Sequence, residues 1–566
     1  MVNQPLNCMK IKLLIRKYWL LIIIILLAGF LRLWKLSSVP PHLTPYEASL
    51  GYNAFSILKT GRDEYGKLLP IIFKSFGDYK PGLYIYLSVP FVGLLGLNEW
   101  AVRLPSAVCG VLTVFLIYLI AKKLFPGKKI GIFAAFVAAT NPWLIYFSRG
   151  AWEVNVCLTL ALAGTYFFLK FLTRSKFLLF SAFFFALTLL CYQGAKLSSG
   201  IVLLILVILY WKNVFSSNKK ILAGSLLIGI MVSLPIILSL FQGRTGRLNV
   251  FSVFSYPRPA EYLQKQLAHG NENMGSLSYY VFHSETVNFA RGVMGRWFNH
   301  FSGRFLFFEG DWQNPRHTAP NSGVLLTFDL ILLILGIVSF IKVGWEKETL
   351  FIWLWLILAP LTAALSRDQV HAVRALNMSV PLIIILSFGF FSIIRFLNTT
   401  SRPFVKVTGY FLLLFSYILS LIYFLDSYYV HLPKHDSQYW EYGYKQIVQK
   451  VTPIQNKYKM IKVQQSYAQP YIFFLFFQEH DPAKYQKQAE LIESSFGDVG
   501  QVEKLDNIYF SPIDWSVNRG EHNVLFVADP IRIPPEDSKD TNLFYQIAEI
   551  KYLNGRDTAF RLIEVK

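Results

Sequence analysis

Acidic side chains are scarce in this sequence, with 34 Asp and Glu against 55 Lys and Arg in 566 residues. Charge of either sign is thin, at 16%, where a soluble domain carries about a quarter. Cysteine is nearly missing. The four present (Cys8, Cys109, Cys157 and Cys191) lie in the N-terminal tail or inside apolar blocks. None has a metal-ligand spacing or falls in an expected external loop, which argues against structural disulfides. No internal repeat and no low-complexity tract is found.

What is abundant is hydrophobicity in long blocks: 54% of residues are hydrophobic and 16% aromatic. Apolar runs of about 20 residues match a bilayer core of ~30 Å, so the chain reads as a polytopic α-helical membrane protein. Its formal charge of +21 could suggest nucleic acid, but the basic residues sit in short clusters between apolar blocks. That placement follows the positive-inside rule, and no nucleic-acid partner is expected. The N-terminus carries Lys10, Lys12, Arg16 and Lys17 before Tyr18–Trp34. This run is long for a signal peptide and no small-x-small cleavage site follows, so it reads as a retained first helix.

With the N-terminus cytoplasmic, the first helix (18–35) leads to an external loop, 36–103. The apolar piece Gly82–Leu97 is interrupted by Pro90. If it crossed, the next helix (104–121) would deliver Lys122, Lys123, Lys128 and Lys129 to the outside. It therefore reads as interfacial or half-inserted. Nine further segments then alternate with basic clusters on the inner side: 130–147, 154–171, 177–191, 197–211, 221–241, 323–341, 349–365, 378–394 and 407–426. The total is about 11 transmembrane helices in a membrane domain, 1–429. The odd count leaves 430–566 outside, as a small α/β domain. There Tyr471–Phe476 and Asn523–Ala528 read as buried strands, 479–493 as a helix, and 548–553 with 559–565 as a hairpin across Asn554–Asp557.

Three polar clusters fall on the external side: Glu47, Asp78 and Lys80; Arg149 and Glu153; and Arg316 and His317 with His371 and Arg374. Carboxylates mixed with cations at a membrane surface suit transfer of a group from a lipid phosphate. The cations stabilise the leaving phosphate and a carboxylate takes the proton of an incoming hydroxyl. A lipid-linked sugar transporter or flippase is the alternative, but its ionisable groups belong near mid-span, where only Asp329 stands.

Each residue also has a plain structural reading. Lys80 can anchor the interfacial helix by snorkelling, and Glu47 can oppose the dipole of a helix starting at Ala48. Asp78 can hold a turn, and Arg103 and Arg149 can flank helices as anchors. Two cations as close as His371 and Arg374 need an anion or a carboxylate such as Asp368. Arg316 and His317 can be surface charges of a Pro-rich loop. Most Tyr and Trp suit the interface belt, while Trp152, Tyr192 and Trp312 could line a sugar pocket. A divalent metal on His317 and a carboxylate is left open, since no ligand spacing supports it. The motifs call for no other cofactor.

The first loop, together with G-L-N-E-W-A-V-R-L-P-S-A (Gly96–Ala107), resembles the protein O-mannosyltransferase and aminoarabinose lipid A transferase family. F-F-E-G-D-W-Q-N-P-R-H-T-A-P-N-S-G (Phe307–Gly323) and A-A-L-S-R-D-Q-V-H-A-V-R-A-L (Ala363–Leu376) are similar to its uncharacterised bacterial members. The resemblance covers about 10–430. It implies a GT-C fold and an integral plasma-membrane glycosyltransferase that moves a sugar from a polyprenyl phosphate to a hydroxyl on protein, lipid or cell-envelope glycan at the outer face. It places the donor phosphate on Lys80 of the Lys80-Pro81 motif. We expect Arg103, Arg374 and His371 beside it, and Arg149, Glu153, Tyr192, Arg316 and His317 around the sugar or acceptor. Family members carry Asp-Glu in the first loop, with the Asp as base. This chain has Tyr46-Glu47. That departure admits a non-catalytic relative and moves the expected base to Asp78, with Glu47 orienting a cation or the acceptor.

Overall fold

The computed structural model describes residues 4–127, 129–241, 252–466, 469–492 and 499–566, with side chains of the first helix (Gln4–Leu33) described from Lys17. Helix occupies each of the eleven apolar segments. Among the described residues six are long and apolar enough to cross a membrane: Glu99–Leu124, Glu153–Phe171, Lys219–Ser239, Lys347–Ala364, Leu376–Thr399 and Pro403–His435. Among the described residues a seventh qualifies if Ile130–Thr140 and Pro142–Ser148, bent by 56°, count as one span. Phe177–Leu189 and Asp329–Ile341 have only 13 residues, or ~20 Å of helix. Eleven crossings therefore do not follow from helix length alone.

The bend was expected as straight helix. Pro142 has no N–H to give, and Asn141 is extended (ψ 123°) while its side chain accepts the N–H of Leu144. A helix ends there and another starts. Elsewhere the helices close tightly. A Cβ on Gly336 would lie 2.3 Å from the carbonyl oxygen of Ile385, and one on Gly389 would lie 2.1 Å from that of Leu332. The helices Asp329–Ile341 and Ser379–Thr399 thus meet backbone to backbone.

The loop after the first helix folds into a helix (Pro45–Thr60), a hairpin (Ile72–Ser75 with Asp78–Pro81) and the 13-residue helix Leu83–Leu95. Thr44 and Glu47 form a reciprocal capping box, and Pro45 sits where a helix N–H has no partner anyway. Leu83–Leu95 contains Pro90 and packs on Pro45–Thr60, with the Tyr84 hydroxyl donating to the carbonyl of Val102 at 2.9 Å.

The C-terminal part carries a six-stranded mixed sheet in the order Lys504–Leu505, Ile508–Ser511, Met460–Gln464, Val524–Ala528, Thr558–Val565, Phe544–Lys551. Met460–Gln464 runs parallel to both its neighbours, and the last two strands form the expected hairpin. Tyr471–Phe476 is not a strand but most of a helix, Tyr471–Phe477, opened by Pro470. All six residues are buried because the helix lies between the sheet and the first-loop helix. The ring of Phe474 meets Phe510 on one side, and Phe476 reaches Gly51 on the other, where a Cβ would come within 2.5 Å. The helix expected over 479–493 shortens to Pro482–Gln488, followed by a short strand at Leu491–Ile492. One apolar core therefore unites first-loop residues such as Leu43, Tyr52 and Phe76 with Ile461, Phe473 and Phe560. A second fills the helical bundle.

Candidate functional site

Three buried arginines fix the chain where the first helix gives way to the loop. Arg103 gives its Nη1 protons to the carbonyls of Leu36 (2.9 Å) and Pro40 (3.0 Å). Its Nη2 protons go to His42 (2.7 Å) and Glu47 Oε2 (3.4 Å), and Nε donates to Glu47 Oε1 at 3.1 Å. All five N–H groups of the guanidinium are thereby used. Arg149 donates to the carbonyls of Leu31, Trp34 and Val39 and lies over the rings of Tyr428 and Tyr429. Arg32 holds the carbonyls of Ala138 and Ala139.

Arg103 and Arg149, expected beside the phosphate and the substrate, are thus committed to backbone and do not line the cavity described next. A cation can replace several backbone donors at one bend, and two turns of loop pinned this way cannot slide.

Glu47 belongs to the same clamp. Besides Arg103, its carboxylate accepts the N–H of Ala151 (2.8 Å) and of Thr44 (3.0 Å). The four acceptor positions of a carboxylate are then filled. Glu47 orients a cation, and its lone pairs are not available to a substrate hydroxyl.

Beside the clamp opens a cavity of about 650 Å³, lined by Glu47, Lys80, Glu153, Tyr192, Arg316, His317, His371 and Arg374 among others. The wall is drawn from the first loop, the start of the helix Glu153–Phe171, the loop before Ala195–Leu209, and the two loops around 316 and 371. Asp78 is buried in the hairpin and off this wall, close enough for its charge to act on Lys196, which is on it. Lys80 is held at the cavity edge by its place in the hairpin, paired with Phe73. Its ammonium lies 3.6 Å from the centre of the Tyr46 ring and 5.2 Å from that of Phe76. Tyr46, which stands where a carboxylate was expected, therefore faces the lysine with a π-cloud.

The wall is cationic. Lys80, Lys196, Arg316 and Arg374 stand against Glu47 and Glu153, and Glu47 is already balanced by Arg103. Arg374 pairs with Asp368 at 3.1 Å. Arg316 faces Glu441 at 3.9 Å, whose carboxyl burial pushes up to about 8, so near neutral pH that neighbour is mostly uncharged. Burial, with Arg374, His317 and His300 nearby, holds His371 well below the usual histidine range and keeps it neutral. Such a wall suits a phosphate with an apolar or sugar neighbour.

Sequence reasoning missed Lys196, which falls between the expected helices 177–191 and 197–211 and lies in the first turn of Ala195–Leu209, and Asp311, which is buried six residues before His317. Asp311 accepts from Asn314 Nδ2 and the Ala372 N–H, and its Oδ2 lies 2.8 Å from His317 Nδ1. The three described cysteines are free, as expected from their positions.

Residues 80–238 match the family model described as dolichyl-phosphate-mannose-protein mannosyltransferase. Over 168 residues the chain is 27% identical to YkcB of Bacillus subtilis (strain 168), provisionally named a mannosyltransferase. That segment is 29% of this chain and 22% of YkcB, so the likeness spans about a fifth of that relative. The fold is similar to that of ArnT from Cupriavidus metallidurans. The apo form gives a TM-score of 0.53 at 12% identity, covering 97% of this chain and 98% of that one. The form bound to undecaprenyl phosphate gives 0.52 at 13%, covering 96% and 98%. At these identities the likeness concerns the fold, a polytopic membrane fold of the GT-C type.

Proposed function

We propose, from the premise that a GT-C fold with a mannosyltransferase-family match over residues 80–238 marks a glycosyltransferase, that this chain moves a sugar from a polyprenyl phosphate to a hydroxyl. The acceptor is a protein, lipid or cell-envelope glycan, and the reaction lies at the outer face of the plasma membrane. In this reading 1–429 is the membrane domain with about 11 crossings and 430–566 an extracytoplasmic α/β domain. Basic clusters after alternate helices support that orientation.

The observation that carries the reading is the cationic cavity beside a pinned first loop, with Lys80 at its edge. The donor phosphate sits against Lys80 and Arg374, which hold the charge that appears as the C1–O bond to phosphate breaks. The acceptor oxygen forms the new bond to C1 and gives up its proton. Of the two acidic residues on the wall, Glu47 has its acceptor positions filled by the clamp. We therefore assign the proton to Glu153, at the first turn of the helix Glu153–Phe171, in place of Asp78, which is off the wall. Asp78 then acts through Lys196 as a positioning residue.

The test is transfer by the purified protein from a panel of labelled polyprenyl-phosphate sugars. Glu153→Gln should lower kcat by at least about a hundredfold with donor binding kept, while Asp78→Asn should retain most of kcat. Full transfer by Glu153→Gln would sink the assignment. If only Tyr46→Asp restores transfer to an otherwise silent protein, the chain is the non-catalytic relative.

A further inference from the structure

We propose that Asp311, His317 and His371 form a divalent-metal site on the cavity wall, of the kind that takes Zn²⁺. One ligand atom from each residue lies within 4.8 Å of the other two. Closing that spread to the ~3.4 Å between ligands of a tetrahedral centre takes side-chain rotations of about an ångström. Two imidazoles and one carboxylate are a borderline donor set that suits Zn²⁺ better than Ca²⁺ or Mg²⁺, which prefer all-oxygen shells.

The surroundings are those of a built site. The Asp311 side chain is fully buried and oriented by Asn314 Nδ2 on Oδ1 (2.9 Å) and the Ala372 N–H on Oδ2 (2.8 Å). The backbone N–H of His371 donates to Nε2 of His300, whose Nδ1 lies 2.7 Å from the carbonyl oxygen of Arg296. This second layer fixes the His371 loop in the way that outer partners fix metal ligands. The His317 and His371 rings lie 4.9 Å apart. Gly310, at φ 65° and with no room for a Cβ beside Thr318, sets the turn that brings Asp311 back towards His317.

Both histidines line the cavity. With three protein ligands, a fourth position faces the cavity, where a water or an anionic oxygen can sit. This inference stands on the three side chains and does not need the glycosyltransferase reading.

The experiment uses the full chain in detergent, stripped with a chelator and titrated with Co²⁺ as a spectroscopic stand-in, then with Zn²⁺ in competition. One equivalent of Co²⁺ with a tetrahedral visible absorption band, displaced by Zn²⁺, is expected. His317→Ala and His371→Ala should each weaken binding more than about tenfold, whereas His431→Ala, on an exposed helix end, should leave it unchanged. Zn²⁺ should also raise the melting temperature of the chelator-treated wild type, a readout that needs no variant to fold. Absence of that shift together with no stoichiometric Co²⁺ band, or equal binding by Asp311→Asn/His317→Ala/His371→Ala, overturns the site and leaves Asp311–His317 as a hydrogen-bonded pair.

Discussion

Removing Arg103 should destabilise the protein before it affects donor binding. Arg103→Ala leaves the Glu47 carboxylate, 4% exposed, without its cation and three carbonyl groups without their donors. Breaking a buried ion pair from one side costs about 3–5 kcal/mol, and each orphaned acceptor adds about 1–3 if it stays dry. Water entering the space vacated by the guanidinium relieves part of this, so we take ~4 kcal/mol. If the whole chain unfolded as one unit, an unfolding entropy of ~1.2 kcal/mol/K would turn this into a melting shift of about 3 °C. The shift is larger if the core shared by the first loop and the C-terminal sheet unfolds separately. Arg103→Lys should recover little, because one ammonium cannot reach five acceptors spread along a loop. The assay is thermal unfolding in detergent beside undecaprenyl-phosphate binding by the same samples. An Arg103→Ala protein that melts with the wild type but binds the lipid phosphate poorly would refute the clamp and return Arg103 to the phosphate.

Lys80→Met should weaken donor use about 10- to 100-fold, seen in KM or kcat/KM, while changing stability by under ~1 kcal/mol; unchanged transfer would reduce Lys80 to an anchor. Glu64 is buried against Asn53 Nδ2 (3.0 Å), and its carboxyl is pushed up to about 8. The folded state then keeps this proton up to pH about 8, whereas the unfolded state releases it near 4.5. The unfolded state binds fewer protons between those values, so stability falls as pH rises through the window. Glu64→Gln should remove that fall and gain a few kcal/mol at pH 8; melting curves at pH 5, 7 and 9 with parallel trends in both proteins would contradict it. A topology reporter fused at Lys566 should read extracytoplasmic, and a cytoplasmic signal would overturn the orientation of the cavity.

The sequence made the helices readable because each is an apolar block with a basic cluster at one end, and burial in lipid or protein leaves the same mark. The break at Asn141-Pro142 was equally visible as a dipeptide but was absorbed into an apolar run. Tyr471–Phe476 was misread because six consecutive buried residues have no periodicity, and only their neighbours distinguish helix from strand. In the cavity, Lys80, Arg316, His317, His371 and Arg374, all read as polar residues between apolar segments, do share one wall. Arg103 and Arg149 looked the same in sequence, and what separates them is a set of backbone carbonyls that no pattern announces. For Glu47 the plain expectation, a first-turn carboxylate, matches the capping box seen. Asp311 escaped because two of its partners, His317 and the Ala372 N–H, stand 6 and 61 residues further along the chain.

The helix Tyr471–Phe477 has a consequence for how the molecule comes into being. Tyr52 in the first loop donates its hydroxyl to the carbonyl of His480, 428 residues later, and Gln486 reaches back to Ser56 and Asp63. The segment that carries Lys80 is made well before the helix and strands that close its core. Contacts of such separation form late and slowly. During synthesis the first loop must therefore wait, with Tyr52, Phe55 and Phe76 lacking these later contacts, until Tyr471–Phe477 and the sheet have been made. A nascent protein halted before Tyr471 would have its apolar helices and still lack the partners that close the core around the first loop.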